Sequence, residues 1–262
     1  MFLVAFVSAD FTVSPTIINI NPSNTNSSFV ITNTNSSEII TVTLPASFQI
    51  TGENSYSTVF NFEGNGVNIN ASSPRTINIT KSTNIDFSKF KLGKTYSSTF
   101  QLIRGSTTRD VIVNLERSYC KSGNNGDLSV DVSFNNKGLG KDDEWYLTDE
   151  IETEVKVKNN GNDDIDNIIV EWGLYNKKTG EFIVDDEEKD FDLKDGDKET
   201  LTFSFKLDPN DFNDDFSEGD FIFFVKAYSD DVGEDEQCQS EADSGIKILR
   251  DNHFVMASDI EI

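Results

Sequence analysis

The sequence predicts an all-β protein: two tandem antiparallel β-sandwiches, followed by the beginning of a further module. Three observations carry this. Apolar and polar residues alternate with period two along most of the chain, as strands do when one face meets a core and the other meets water. Clusters of Asn, Ser, Gly and Pro break the alternation about every ten residues, the turn spacing of a sandwich. The charge is also unevenly placed. Residues 10–117 hold 7 acidic and 8 basic residues, whereas residues 118–262 hold 39 and 14. Such asymmetry divides a chain into domains with different surfaces.

Taken in order, MFLVAFVSAD opens with nine apolar or small residues. Val7 and Ala9 satisfy the small-residue rule for signal-peptidase cleavage, so residues 1–9 read as the remnant of a secretion signal. An N-terminal edge strand is the alternative. Residues 10–117 then give SFVIT (28–32), IITVTL (39–44), TVFNF (58–62), GVNINA (66–71), RTINIT (75–80), SSTFQLIR (97–104) and DVIVNL (110–115) as strands. About seven strands in about 105 residues is the size of an immunoglobulin-like sandwich.

Residues 118–250 read as a second, acidic immunoglobulin-like sandwich. LSVDVSF (128–134), EIETEVKVK (150–158), NIIVEWGLY (167–175), TLTFSFKL (200–207) and DFIFFVKAY (220–228) each alternate cleanly. EFIV (181–184) is expected as a short strand, and 236–249 as the last one. Trp172 falls on the third main strand, where it resembles the core tryptophan of immunoglobulin domains. Cys120 precedes the first strand and Cys238 enters the last. In a secreted protein an even cysteine count suggests a bridge, here one tying the domain's two ends together. Residues 251–262 begin another alternating run, the start of a further strand or domain.

Strand order gathers the acids at the sandwich ends. One end receives Asp163, Asp164, Asp195, Asp197, Asp230 and Asp231 from three loops. Calcium takes six to eight oxygens, commonly from Asp and Glu, so these six are the expected metal ligands. The alternative is solvated turns, because Asp, Asn and Gly suit turns for backbone reasons. Trp145 and Tyr146, beside carboxylates in DDEWYLTD, are candidates for stacking on a sugar or for plugging the sandwich end. Asn26, Asn35, Asn70 and Asn78 each begin an Asn-x-Ser/Thr sequon, the acceptor of N-glycosylation in a surface protein.

The runs GNNGDLSVDVSFNNKG, DDEWYLTDEIETEVKVKNNGNDDIDNIIVEWGLYNKKTG, FDLKDGDKETLTFSFKLDP and FVKAYSDDVGEDEQC, in that order, resemble surface-layer (S-layer) proteins of small-genomed archaea. Within these, the second half is similar to the cell-adhesion-related, immunoglobulin-like modules of prokaryotic surface proteins. The resemblance implies secretion, a string of sandwich domains and assembly into a cell envelope. It brings no catalytic residues.

A single histidine, His253, argues against zinc sites and Ser-His-Asp triads. Acidic turns lack the apolar surround that raises a catalytic carboxyl's pKa, and a net charge of −24 disfavours nucleic acid. The expectation is a non-enzymatic structural protein of the cell surface, extracellular, with no transmembrane span in these residues. It would self-associate in an envelope lattice or join other surface proteins, with calcium as its only cofactor. An adhesin or glycan- or protein-binding module is the alternative.

Overall fold

The structure is a computed structural model that describes residues 10–63, 66–120, 126–212, 217–231 and 238–249. The signal-like residues 1–9 and the alternating run 251–262 lie outside these. The chain divides into two units, Met1–Ser118 and Tyr119–Ile262. Among the described residues both are built from strands joined by turns and short 3₁₀ segments.

In the first unit the strands are β1 (Phe11–Ser14), β2 (Ile17–Ile20), β3 (Ser27–Asn33), β4 (Ile40–Thr43) and β5 (Ser47–Thr51). They continue with β6 (Ser57–Phe62), β7 (Gly66–Ile69), β8 (Pro74–Lys81), β9 (Tyr96–Arg104) and β10 (Thr107–Leu115). One sheet has the order β1-β3-β8-β6-β5 and the other β2-β10-β9-β4-β7. The leading strand is split between them. β1 runs antiparallel to β3, and β2 lies parallel to β10. Pro15, at the break, has no N–H to continue a ladder. Alternate residues such as Phe29, Ile31, Phe60, Phe100, Leu102 and Val111 point between the sheets and are buried.

The second unit repeats the plan with β11 (Leu128–Asn136), β12 (Glu144–Tyr146), β13 (Glu150–Asn159) and β14 (Ile165–Asn176). β15 (Glu181–Leu193), β16 (Lys198–Lys206), β17 (Phe221–Ser229) and β18 (Cys238–Leu249) complete it. The orders are β11-β13-β16 and β12-β18-β17-β14-β15. Again the leading strand is split, with β12 parallel to β18. In the first unit a sheet holding β1, β3 and β8 opposes one holding β4, β9 and β10, and in the second β11, β13 and β16 oppose β14, β17 and β18. This is the immunoglobulin-like arrangement, so the fold is two tandem immunoglobulin-like β-sandwiches.

Three strands of the first unit, β1, β2 and β5, are absent from the sequence expectation, as is β12 in the second. Each is only three to five residues long, too short for a period to declare itself. β15 is the opposite case, reaching Leu193 rather than ending near 184. Asp185, Asp186 and Glu187 hide its alternation, and it pairs with β14 through register shifts. It is an edge strand, and charge on an edge discourages pairing with another chain.

Trp145 and Trp172 anchor the second core. Trp172 stacks on Phe203 at 4.2 Å and on Phe205 at 5.2 Å between ring centroids. Trp145 meets Phe134, Phe205 and Phe223 edge to face, the geometry aromatic quadrupoles favour. The outer face of the five-stranded sheet carries a smaller cluster as well. There Tyr175, Phe224 and Tyr228 are buried, and the ring of Tyr119 lies 5.5 Å from those of Phe182 and Phe224. Lys226 sits 4.4 Å from the centre of the Tyr119 ring and 2.6 Å from Glu171. A Cβ on Gly173 would come within 2.6 Å of the Phe182 ring, so the absent side chain makes room for it. This is why DFIFFVKAY is apolar on both faces in part.

Candidate functional site

Charged and polar side chains are the chemical resource of this chain, and three of them organise its loops from inside. β3 ends at Asn33, which is almost fully buried. Its Nδ2 donates to the carbonyls of Glu38 (2.8 Å), Asn70 (3.0 Å) and Ile69 (3.1 Å). Its Oδ1 accepts from the N–H of Asn35 at 2.9 Å. The amide thus joins the end of β3, the turn before β4 and the end of β7.

Asn159 does the same at the end of β13. Its Nδ2 donates to Asp163 O (2.7 Å) and Leu193 O (3.3 Å), and its Oδ1 accepts from Gly161 N at 2.9 Å. The positions correspond. Ile69 pairs with Ile40 at the start of β4, and Leu193 pairs with Ile165 at the start of β14. An unpaired carbonyl in such a place costs about 1–3 kcal/mol, so one amide satisfies what the turn would otherwise leave bare.

The third is Asp149, buried just before β13. Its carboxylate accepts from Asn136 Nδ2 (2.7 Å), Leu139 N (2.9 Å), Tyr146 N (3.0 Å) and Gly140 N (3.1 Å). Burial pushes its pKa up. The N–H groups of Tyr146, Leu139 and Gly140, with the Asn136 amide, outweigh that and hold it below the ordinary value of 3.8. Gly138 is required beside it, since a Cβ there would lie 2.0 Å from a carboxylate oxygen.

The six aspartates expected to bind calcium are brought to one end of the second sandwich. Asp195 N donates to Asp164 Oδ1, and Asn159 N to Asp197 O. Asn167 links the last loop, accepting from Asp230 N through its carbonyl and donating to Asp231 Oδ1. Asp163, Asp164, Asp195, Asp197, Asp230 and Asp231 are all exposed. Among the described residues no three His, Cys, Asp or Glu side chains are grouped to hold a metal. The loops do converge; the Asp164 and Asp231 carboxylates each accept from an N–H donor of a neighbouring loop.

Trp145 is not a sugar-stacking surface. Its ring is fully buried and its Nε1 donates to Asp142 O at 2.8 Å, so it plugs the sandwich end. Tyr146 is half-buried beside it. Of the sequon asparagines, Asn26, Asn70 and Asn78 are exposed and Asn35 is half-buried. They fall in two pairs. Ser28 is the cross-strand partner of Asn78, which places Asn26 near Asn78, while Ser72 N donates to Asn35 O close to Asn70. Cys120 is fully buried and disulfide-bonded. The side chain of Cys238 lies outside the described ones.

Asn33, Asn159 and Asp149 were absent from the sequence expectation. Their only signal is an Asn two residues before Asn or Gly at a strand end, or an Asp before a strand, which reads as ordinary turn chemistry.

No family model and no curated protein matches this sequence. Among solved structures, the chain is similar to the CupB2 chaperone of Pseudomonas aeruginosa at 10% identity and a TM-score of 0.31, covering 90% of this chain and 100% of that one. A second likeness is the CsuC–CsuE chaperone–tip adhesion subunit complex of Acinetobacter baumannii, at 12% identity and a TM-score of 0.32, covering 73% of this chain and 89% of that one. A third is the YadV chaperone, at 12% identity and a TM-score of 0.31, covering 90% of this chain and 100% of that one.

Proposed function

We propose that this chain is a structural protein of a cell surface or S-layer-type envelope, extracellular and without a reaction of its own. One observation carries the reading. The buried polar side chains Asn33, Asn159 and Asp149 each spend their hydrogen bonds on the loops of their own sandwich. They stiffen a spacer instead of lining a cleft. The resemblance of residues 118–250 to S-layer proteins points the same way. A disulfide at Cys120 fits an oxidising compartment, and Cys238, the chain's only other cysteine, is its proposed partner. Glycans at Asn26, Asn35, Asn70 and Asn78 would solvate a sandwich that lacks the charge of the other. Calcium enters as a counter-ion of exposed carboxylates.

The test is assembly. The full chain, concentrated at physiological ionic strength, is followed by light scattering and negative-stain electron microscopy. Ordered sheets or strings are expected. A chain that stays monomeric but binds a defined glycan or surface protein tightly would replace this reading with that of an adhesin.

A further inference from the structure

We infer that the outer face of the first unit's β2-β10-β9-β4-β7 sheet is the surface through which one copy of this chain meets a second. The inference rests on the envelope reading for the existence of self-association, and goes beyond it in naming the face.

The face is built by cross-strand rows. Ile17 on β2 stands opposite Ile112 on β10, and Ile112 stands opposite Thr99 on β9. Asn19, Asn114 and Ser97 form the next row, joined by hydrogen bonds of 3.1 and 2.8 Å. Gln101 donates to Asp110 at 2.9 Å, and Thr108, Ile103 and Thr43 lie beyond them. Ile17, Ile103 and Ile112 are 53%, 41% and 37% exposed. Three isoleucines on one sheet face are unusual in a chain with so few exposed large hydrophobics. Among the described outward positions of the five strands, the one charged residue is Asp110.

Charge selects the occupant. Residues 118–262 hold 39 acids against 14 bases, so contact between two second sandwiches is opposed by like charge. The first unit is close to neutral, and a face bearing a single, already bonded carboxylate can meet its own copy without that cost. The size is also suitable. Five strands about 4.8 Å apart, over about six residues each, present roughly 500 Å² per copy. The resulting total of about 1,000 Å² is at the low end of specific interfaces, suited to a contact made strong by repetition. The sequons leave the face open as well. Asn78 is on β8 of the opposite sheet, Asn26 immediately precedes β3 of that sheet, Asn35 belongs to a loop, and Asn70 lies just past the end of β7.

Sedimentation equilibrium of the full chain, as wild type, Ile112→Lys, Ile17→Lys and Thr76→Lys, tests this. Thr76 is exposed on the opposite sheet and controls for the added charge, while circular dichroism confirms folding of each variant. The expected result is self-association that strengthens with salt, is weakened at least tenfold by lysine at 112 or 17, and is unchanged by lysine at 76. Equal association of all four variants would overturn the face while leaving the envelope reading in place. A wild type that stays monomeric at millimolar concentration would overturn both.

Discussion

The two sandwiches share an internal device and differ in their surfaces. At the end of β3 and of β13 a buried asparagine ties the same three pieces of chain together. Around that common joint, the first unit presents Ser, Thr, Asn and Ile. The second presents Asp131, Glu150, Glu154, Lys158, Lys198 and Lys206 on the outer face of its three-stranded sheet. The joint is kept because it satisfies backbone carbonyls that any chain making this turn must satisfy. The surface is free to follow the surroundings. In this chain, then, inward polar groups bond the loops of their own sandwich, and the two units differ in the charge they turn outward.

The largest way to break the comparison is to remove an aromatic anchor from one side. Trp145→Ala empties a fully buried site and should cost about 3–5 kcal/mol. In calorimetry only the second unit's transition should fall. A matching fall in the first unit's transition would mean that the two cores melt together.

The shared joint comes next. Asn33→Ala and Asn159→Ala each leave buried carbonyls unpaired and should each cost about 2–3 kcal/mol. Each should lower only the transition of its own unit. If Asn33→Ala were neutral while Asn159→Ala was not, the correspondence would be one of position and not of energetics.

Asp149 sharpens the comparison through pH, because the first unit has no counterpart to it among the described buried acids. Its folded pKa is depressed, so its contribution is present above the unfolded value of about 3.9 and is lost as pH falls through the folded value. Asp149→Asn should therefore destabilise the second unit at neutral pH. The gap from wild type should close progressively below about pH 4. A gap that persisted to pH 2 would show that packing, not charge, is what the substitution removes.

The smallest effect has the opposite sign. Thr58 and Thr153, one in each unit, have buried hydroxyls without a hydrogen-bond partner. Replacing either with valine keeps the shape and removes the desolvated oxygen. Thr153→Val and Thr58→Val should each stabilise by about 1 kcal/mol, measurable as a shifted urea midpoint.

Much of this was legible in the sequence because burial on one face forces period two. Ile151, Thr153, Val155 and Val157 point inward in β13, just as EIETEVKVK reads. The convergence of the Asp-rich loops at one end of the second sandwich was legible from strand order as well. Which donors Asp164 and Asp231 meet there was not, since that depends on loop geometry and not on composition. Trp145 was ambiguous for a related reason. A three-residue strand shows no period, so its burial depends on the pairing of β12 with β18. Asn33 and Asn159 were hidden because an asparagine at a strand end is expected whatever its side chain does.

If the outward acids serve solvation, calcium finds no selective site among them. The decisive measurement is a calcium titration of the full chain at constant ionic strength, with binding heat and both melting transitions recorded and magnesium as the comparison. Solvation predicts weak heat that does not saturate, and small shifts that magnesium reproduces. A saturable, calcium-selective stabilisation of the second unit, abolished by Asp164→Asn, would contradict it.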